Sequence, residues 1–175
     1  MKPPGPEQIY LVGFMGAGKT TVGGELAALL GRQFVDLDEA ICRKLGRTIP
    51  EVFRDEGEPY FRRVEREILI SLTALPGLVV ATGGGTYVAE ENRVLVEAAG
   101  WSVWLQVSLV EAMRRSEGGA GRPLWGGRGE IEALYRHRQE FYRCARLRVD
   151  TEGVPVARVA GEILECLLAE GFTAS

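Results

Sequence analysis

Residues 13–20, Gly-Phe-Met-Gly-Ala-Gly-Lys-Thr, have the types and spacing of a phosphate-binding loop. In this pattern glycines let backbone N–H groups surround a phosphate, Lys19 brings a positive charge to its oxygens, and Thr20 offers a hydroxyl to Mg²⁺. An apolar run precedes the loop and an amphipathic segment follows it, as a strand-loop-helix motif requires. The chain is therefore predicted to bind a nucleoside triphosphate. The alternative is a glycine-rich turn that happens to carry a lysine.

Two carboxylates at alternate positions, Asp36 and Asp38, follow a second apolar run. If strand geometry continues through them, both side chains point to one side. One could then hold Mg²⁺ through water while the other accepts a hydrogen bond from a substrate hydroxyl. The alternative is that Asp38 only caps the next helix.

Three glycines, Gly83, Gly84 and Gly85, follow a third apolar run and are called the glycine run below. Their backbone N–H groups have no side chains that would block a ligand, although a flexible turn would also explain them. Many proteins with this type of loop carry a metal-binding aspartate here. Because this chain has glycine, Asp36 is the expected metal carboxylate.

Arginines form a further group of candidates. Arg62 and Glu65 share a helix face, so Arg62 could be held as a fork for a carboxylate or phosphate, or could be part of a solvated ion pair. Arg122 precedes Pro123 in a glycine-rich segment and could close onto a transferring phosphoryl group. Arg138 lies in a group of basic residues, most of which are expected to form a solvated face of a helix.

The elements that must position these residues alternate between strand and helix patterns. Strands are predicted at residues 9–12, 33–36, 78–82, 101–107 and 146–149, and helices at 19–30, 38–45, 59–75, 90–99, 109–115, 131–145 and 156–169. This succession predicts a parallel sheet with helices on both faces and ligands at the carboxyl ends of its strands. Residues 38–75 are expected to form an inserted helical region and residues 117–130 a lid.

Length and composition restrict the class of protein. With 175 residues and 46% hydrophobic residues, one domain is expected. A net charge of −3 argues against a nucleic-acid-coating surface. The sequence has no apolar run long enough to predict a membrane span, and its proline-rich start lacks the pattern of a signal peptide. A cytoplasmic protein is therefore expected. The three cysteines are predicted to be small core residues.

Taken in order, these motifs closely resemble the shikimate kinase family. The resemblance rests on G-F-M-G-A-G-K-T, F-V-D-L-D, F-R-R-V-E, G-G-G, R-P-L and R-x-x-x-Y-R before a strand that ends V-D-T, across nearly the whole chain. It implies a three-layer α/β/α P-loop fold with a central five-stranded parallel sheet, a helical substrate-binding region and a lid. It also implies transfer of the γ-phosphoryl group of ATP to the 3-hydroxyl of shikimate, in the pathway to the aromatic amino acids.

The resemblance assigns roles to matching positions. Contacts to ATP are implied for Gly16, Ala17, Gly18, Lys19, Thr20, Thr21, Arg115, Arg122 and Pro155, with Arg115 and Pro155 on the two faces of adenine. Contacts to shikimate are implied for Asp38, Arg62, Gly84, Gly85 and Arg138. Thr20 and Asp36 would hold Mg²⁺, and Lys19, Asp38 and Arg122 would be the catalytic residues.

Two other functions stay open at this point. Another small-molecule kinase of the same fold, such as a gluconate kinase, would share the loop but would not need two arginines for a carboxylate. A nucleotide switch that transfers no phosphate to a small molecule would be expected to lack the acceptor residues. A monomer without nucleic-acid or membrane partners is expected.

Overall fold

A computed structural model of the chain describes residues 7–117 and 127–174. The strands are β1 Gln8–Val12, β2 Phe34–Asp36, β3 Val79–Ala81, β4 Gly100–Gln106 and β5 Leu147–Asp150. The helices are α1 Lys19–Leu30, α2 Leu37–Leu45, α3 Ile49–Glu56, α4 Glu58–Thr73, α5 Glu90–Ala99, α6 Leu109–Glu117, α7 Arg128–Tyr142 and α8 Val156–Ala169. A short 3-10 helix covers Thr86–Val88.

The strands form one parallel sheet in the order β2-β3-β1-β4-β5. In its centre, Leu11 of β1 is in register with Ala81 of β3 and Val103 of β4. β1 and β3 are buried along their whole length, which explains why both are continuous apolar runs rather than alternating ones. The α/β prediction and the five strands are confirmed, and the carboxyl ends of all five strands meet at one edge, called the carboxyl edge below.

The inserted region contains three helices, whereas the sequence patterns predicted two. The helix that was missed is α3, which begins after Thr48 with a capping box formed with Glu51 and ends at Gly57, where φ is 82°. The signal was present as a threonine followed three residues later by a glutamate. α4 packs against α2, α3 and α5, and α2 contacts β2, the strand at one edge of the sheet.

The prediction for the cysteines is wrong. Cys144 is exposed, and Cys42 and Cys166 are only half-buried. In α8 the buried positions are Val159, Ala160, Ile163 and Leu167, spaced as one face of a helix. Cys166 lies about 100° around the helix from Leu167 and is therefore off that face. Within the described residues, no helix combines the length and apolar character needed to cross a membrane.

Candidate active site

The phosphate-binding loop lies between β1 and α1. Gly16 and Gly18 have φ values of 75° and 92°, a region that side chains other than glycine rarely adopt. A Cβ atom on Gly16 would also lie 2.5 Å from the carbonyl oxygen of Ala112 in α6. Glycine is thus required at Gly16 by its conformation and by close packing.

Lys19 begins α1 and folds back over the loop. Its Nζ donates hydrogen bonds to the carbonyl oxygens of Gly13 at 2.8 Å and Phe14 at 2.9 Å. The positive charge is therefore held beside the backbone N–H groups at the start of α1, where an anion is also favoured by the helix dipole.

Thr20 and Asp36 meet at the carboxyl edge. The Thr20 hydroxyl donates to Oδ2 of Asp36 at 2.6 Å, and Oδ1 of Asp36 accepts the N–H of Glu39 at 3.2 Å. Strand β2 ends at Asp36, so the condition that strand geometry continues to Asp38 is not met. The helix cap is Asp36 rather than Asp38, because Asp38 already lies in the first turn of α2.

A cavity of about 320 Å³ nevertheless brings both carboxylates to the loop. Its walls are Met15, Gly16, Gly18, Lys19, Thr20, Thr21, Asp36, Asp38, Thr82, Arg115 and Ser116. A more open depression of about 490 Å³ lies along α5 and contains none of the predicted site residues. The smaller cavity is therefore the candidate active site.

The oxygen donors of Thr20 and Asp36 fit a magnesium ion. Mg²⁺ prefers hard oxygen ligands and is usually bound by one or two protein groups together with substrate phosphates and water. In the part of the chain that the structure describes, no group of three or more histidine, cysteine or acidic side chains could form a metal cage. A metal that depends on phosphate oxygens for most of its coordination suits this arrangement.

The glycine run is where the predicted acceptor residues come together. Added Cβ atoms would lie 2.9 Å from Oδ1 of Asp38 at Gly83, 2.7 Å from Nη1 of Arg138 at Gly84, and 2.5 Å from Nη2 of Arg62 at Gly85. Side chains from α2, α4 and α7 thus converge on one short segment after β3. A Cβ atom at any of these positions would push the end of one of these side chains away, so the glycines let all three approach the backbone closely.

Arg62 is held by two carboxylates. It pairs with Glu65 at 2.9 Å, as predicted, and with Glu58 at 3.1 Å, which the sequence interpretation missed although it lies four residues earlier on the same helix. Glu65 is only 1% exposed and also accepts a hydrogen bond from Thr86 at 2.6 Å. The pair with Glu65 is therefore buried at its acidic end, whereas the pair with Glu58 is open to solvent.

Two effects act on the pKa of Arg62. Burial lowers the pKa, but the charges and hydrogen bonds of Glu65 and Glu58 outweigh burial and raise it. The guanidinium consequently keeps its charge.

Arg138 projects from α7 towards the same segment. Its guanidinium carbon lies 5.8 Å from the ring centre of Phe14, a residue of the phosphate-binding loop. The two predicted arginines therefore stand beside neighbouring glycines, Gly84 and Gly85, and Arg138 also approaches the nucleotide loop. Phe14 was not predicted to contribute to the site.

Arg115 connects the phosphate-binding loop to the segment after β5. It donates to the carbonyl oxygens of Gly16 at 3.2 Å and Thr151 at 2.8 Å, and it pairs with Glu111 at 2.8 Å. Pro155 caps α8 and is exposed, and it is not among the cavity walls.

The predicted lid at residues 117–130 overlaps the ends of two helices. Glu117 is the last residue of α6, and residues 128–130 form the first turn of α7. Arg122, the candidate for closing onto the phosphoryl group, lies outside the described residues.

Comparison with known proteins identifies the family. A sequence model described as shikimate kinase matches residues 15–168, which is most of the chain. The chain belongs to the shikimate kinase family. The two predictions made from the ordered motifs, the family and its fold, are thereby confirmed.

Individual shikimate kinases are similar over almost their full length. The enzyme of Moorella thermoacetica is 42% identical over 166 residues, covering 94% of this chain and 96% of the relative. The enzyme of Geobacter sulfurreducens is 43% identical, and the match covers 92% of this chain and 91% of the relative. The structure of shikimate kinase from Acinetobacter baumannii in complex with shikimate has a TM-score of 0.90 at 38% identity, covering 96% of both chains.

A more distant structural match bears on the alternative that the chain is a gluconate kinase. A gluconokinase from Sinorhizobium meliloti is 18% identical, with a TM-score of 0.55. At that identity the likeness shows a shared fold only. The shikimate kinase family thus accounts for the chain better than the gluconate kinase alternative.

Proposed function

We propose that this chain is an ATP-dependent shikimate kinase that forms shikimate 3-phosphate and ADP, in the pathway to chorismate and the aromatic amino acids. The observation that carries the proposal is the convergence of Asp38, Arg62 and Arg138 on the glycine run, at the same sheet edge as the phosphate-binding loop. A hydroxyl-orienting carboxylate beside two arginines suits an acceptor that has both hydroxyl and carboxylate groups.

At the nucleotide end, backbone N–H groups of residues 16–21 bind the ATP phosphates and Lys19 neutralises the outer oxygens. Thr20 and Asp36 would hold Mg²⁺, which supplies charge stabilisation to the phosphates when bound. Arg115 and Pro155 are proposed to contact the two faces of adenine. The bonds from Arg115 to Gly16 and Thr151 support this assignment, since they fix the arginine next to the loop.

At the acceptor end, Arg62 and Arg138 bind the carboxylate of shikimate, and the N–H groups of Gly84 and Gly85 add hydrogen bonds. Asp38 orients the attacking hydroxyl. Phosphoryl transfer has a loose transition state with little early demand for a base, so alignment is the main contribution of Asp38. Arg122 neutralises charge on the phosphoryl group during transfer.

The organisation of the chain follows from the same proposal. The whole chain is one kinase domain, in which residues 38–75 bind the acceptor and the segment near residues 117–130 forms the lid. The cytoplasmic location and the monomeric state expected from the sequence stay predictions.

A coupled ADP-release assay with shikimate or gluconate as acceptor tests the proposal. We expect turnover with shikimate that depends on both ATP and Mg²⁺. Turnover with gluconate should be at least about a hundredfold lower, because gluconate carries the same kinds of group on an open chain that does not hold them in the alignment transfer requires. A preference for gluconate over shikimate would show that the chain is instead a gluconate kinase of the same fold. Nucleotide binding with no acceptor-dependent ADP release would favour the switch.

A further inference from the structure

One buried tyrosine connects α7 to the glycine run. Tyr142 is fully buried, and its hydroxyl donates a hydrogen bond of 2.5 Å to the carbonyl oxygen of Gly84, 58 residues away in the chain. It lies four residues after Arg138 on the same helix, so both side chains lie on one helix face. Its ring also packs against Trp104 of β4, with 6.2 Å between ring centres.

The other carbonyl groups of the glycine run are held by their own backbone. The carbonyl of Gly83 accepts the N–H of Thr86 at 3.1 Å, and that of Gly85 accepts the N–H of Val88 at 3.2 Å. The Gly84 carbonyl is instead held by a side chain from a distant helix. Tyr142 therefore determines the orientation of the peptide unit between Gly84 and Gly85.

This peptide unit also contains a group proposed to bind the acceptor. In a planar trans peptide, the C=O of one residue and the N–H of the next point in opposite directions. Fixing the Gly84 carbonyl towards Tyr142 consequently fixes the Gly85 N–H away from it. The Cβ position of Gly85 faces the guanidinium of Arg62.

We infer that Tyr142 is a positioning residue for acceptor binding: it aligns the Gly85 N–H and holds the glycine run at a fixed distance from Arg138. The inference rests on the proposed function, in which Arg62, Arg138 and the glycine N–H groups bind the acceptor.

The chemistry of the phenol supports this role. Burial raises the pKa of Tyr142 well above its usual range, and the nearby charge of Arg138 opposes that rise only in part. The hydroxyl therefore stays protonated and remains a donor at any pH at which the enzyme works. A phenylalanine would keep the ring packing and remove only the hydroxyl, with its bond to Gly84 and its contact with Arg138, both of which position the acceptor site.

The test is Tyr142→Phe, measured by steady-state kinetics and by equilibrium shikimate binding. We expect the KM and Kd for shikimate to rise about five- to tenfold, the size expected from losing one buried hydrogen bond. The KM for ATP and the kcat should stay within about twofold. In ¹⁵N NMR spectra, the Gly85 amide resonance should shift, since its peptide carbonyl loses its partner.

Tyr10→Phe is the matched control. Tyr10 is also fully buried and its hydroxyl donates to the side chain of Gln8, near the opposite end of β1 from the site. Both variants remove one buried phenol hydroxyl, so both should lower the melting temperature, but Tyr10→Phe should leave both KM values unchanged.

Arg138→Ala separates this inference from the proposed function. If Arg138→Ala abolishes shikimate binding while Tyr142→Phe leaves it within twofold of the wild type, only the role of Tyr142 is overturned. Retained shikimate binding in Arg138→Ala would overturn the proposed carboxylate site itself. Equal increases in both KM values for Tyr142→Phe would show a structural rather than a positioning role.

Discussion

At the residue scale, the charged groups of the site are fixed by partners before any ligand arrives. Glu65 is a buried carboxylate, and burying such a charge is unfavourable unless it is paired and hydrogen-bonded. Here one of its oxygens accepts from Thr86 and the other pairs with Arg62. Arg62 is thereby held in one orientation, which lowers the entropy lost when it binds an anion.

Lys19→Ala should reduce kcat by about a hundredfold or more, because it removes a charge that stabilises the transferring phosphoryl group. The fold should persist, since Lys19 is only half-buried and its hydrogen bonds go to loop carbonyls of Gly13 and Phe14. Turnover and thermal unfolding measure the two effects. Lys44→Ala is the control, because Lys44 forms a surface ion pair with Glu67. A kcat within about threefold of the wild type would contradict the role of Lys19.

Arg62→Lys should weaken shikimate binding about tenfold or more although the charge is kept, because an ammonium group cannot replace a planar fork that bonds to several oxygens at once. ATP affinity, measured separately by calorimetry, should be nearly unchanged. Arg47→Lys is the control, since Arg47 also pairs with two carboxylates, those of Asp55 and Glu56. Equal losses for both ligands would assign Arg62 to the fold or to the nucleotide site.

At the element scale, α1 must lie close to the sheet for its first turn to present the phosphate-binding loop. Gly23 allows this contact, because a Cβ atom there would lie 2.4 Å from the ring of Phe34 in β2 and 3.2 Å from Leu11 in β1. The next residue, Gly24, has no atom within 4 Å of its Cβ position. Of these two neighbouring glycines of α1, only Gly23 is needed for the helix to pack closely on the sheet.

Gly23→Ala should lower the free energy of unfolding by about 1–3 kcal/mol, because the helix must move away from Phe34 or the ring must leave its packed position. Gly24→Ala should raise the free energy of unfolding by about 0.5–1 kcal/mol, since alanine favours the helix and nothing obstructs it. Urea unfolding of the two variants provides the comparison. Similar changes in both would show that α1 does not pack closely on β2.

At the scale of the whole molecule, two helices connect the ends of the predicted lid to the two halves of the site. α6 carries Arg115, which bonds to the phosphate-binding loop, and α7 carries Arg138, which lies beside the glycine run. The chain between these helices includes Arg122. The two helices that flank the predicted lid thus each carry an arginine assigned to one half of the site.

Arg122→Ala should therefore lower kcat by about a hundredfold or more and leave the Kd for ATP within about twofold, because the arginine is proposed to meet the phosphate only during transfer. Single-turnover kinetics and calorimetry measure the two quantities. Arg114→Ala is the control, as Arg114 is an exposed arginine of α6 paired with Glu111. If ATP affinity fell as much as kcat, Arg122 would be a ground-state nucleotide contact.

The sequence by itself determined the features that depend on near neighbours. The glycines and the lysine of residues 13–20 predicted the phosphate-binding loop, and apolar runs separated by helical periodicity predicted the five strands. Helical spacing predicted the pair formed by Arg62 and Glu65, which the structure confirms. The order of the motifs along the chain was sufficient to identify the family.

Only the tertiary structure decided which distant residues meet. It made Asp36 rather than Asp38 the helix cap, buried Glu65, and placed the hydroxyl of Tyr142 on the carbonyl of Gly84. Local patterns do not contain this information, because these contacts depend on the strand order β2-β3-β1-β4-β5 and on how the helices pack against the sheet and one another. The chemistry-bearing residue types are thus a property of the sequence, and their mutual distances are a property of the packed sheet and helices.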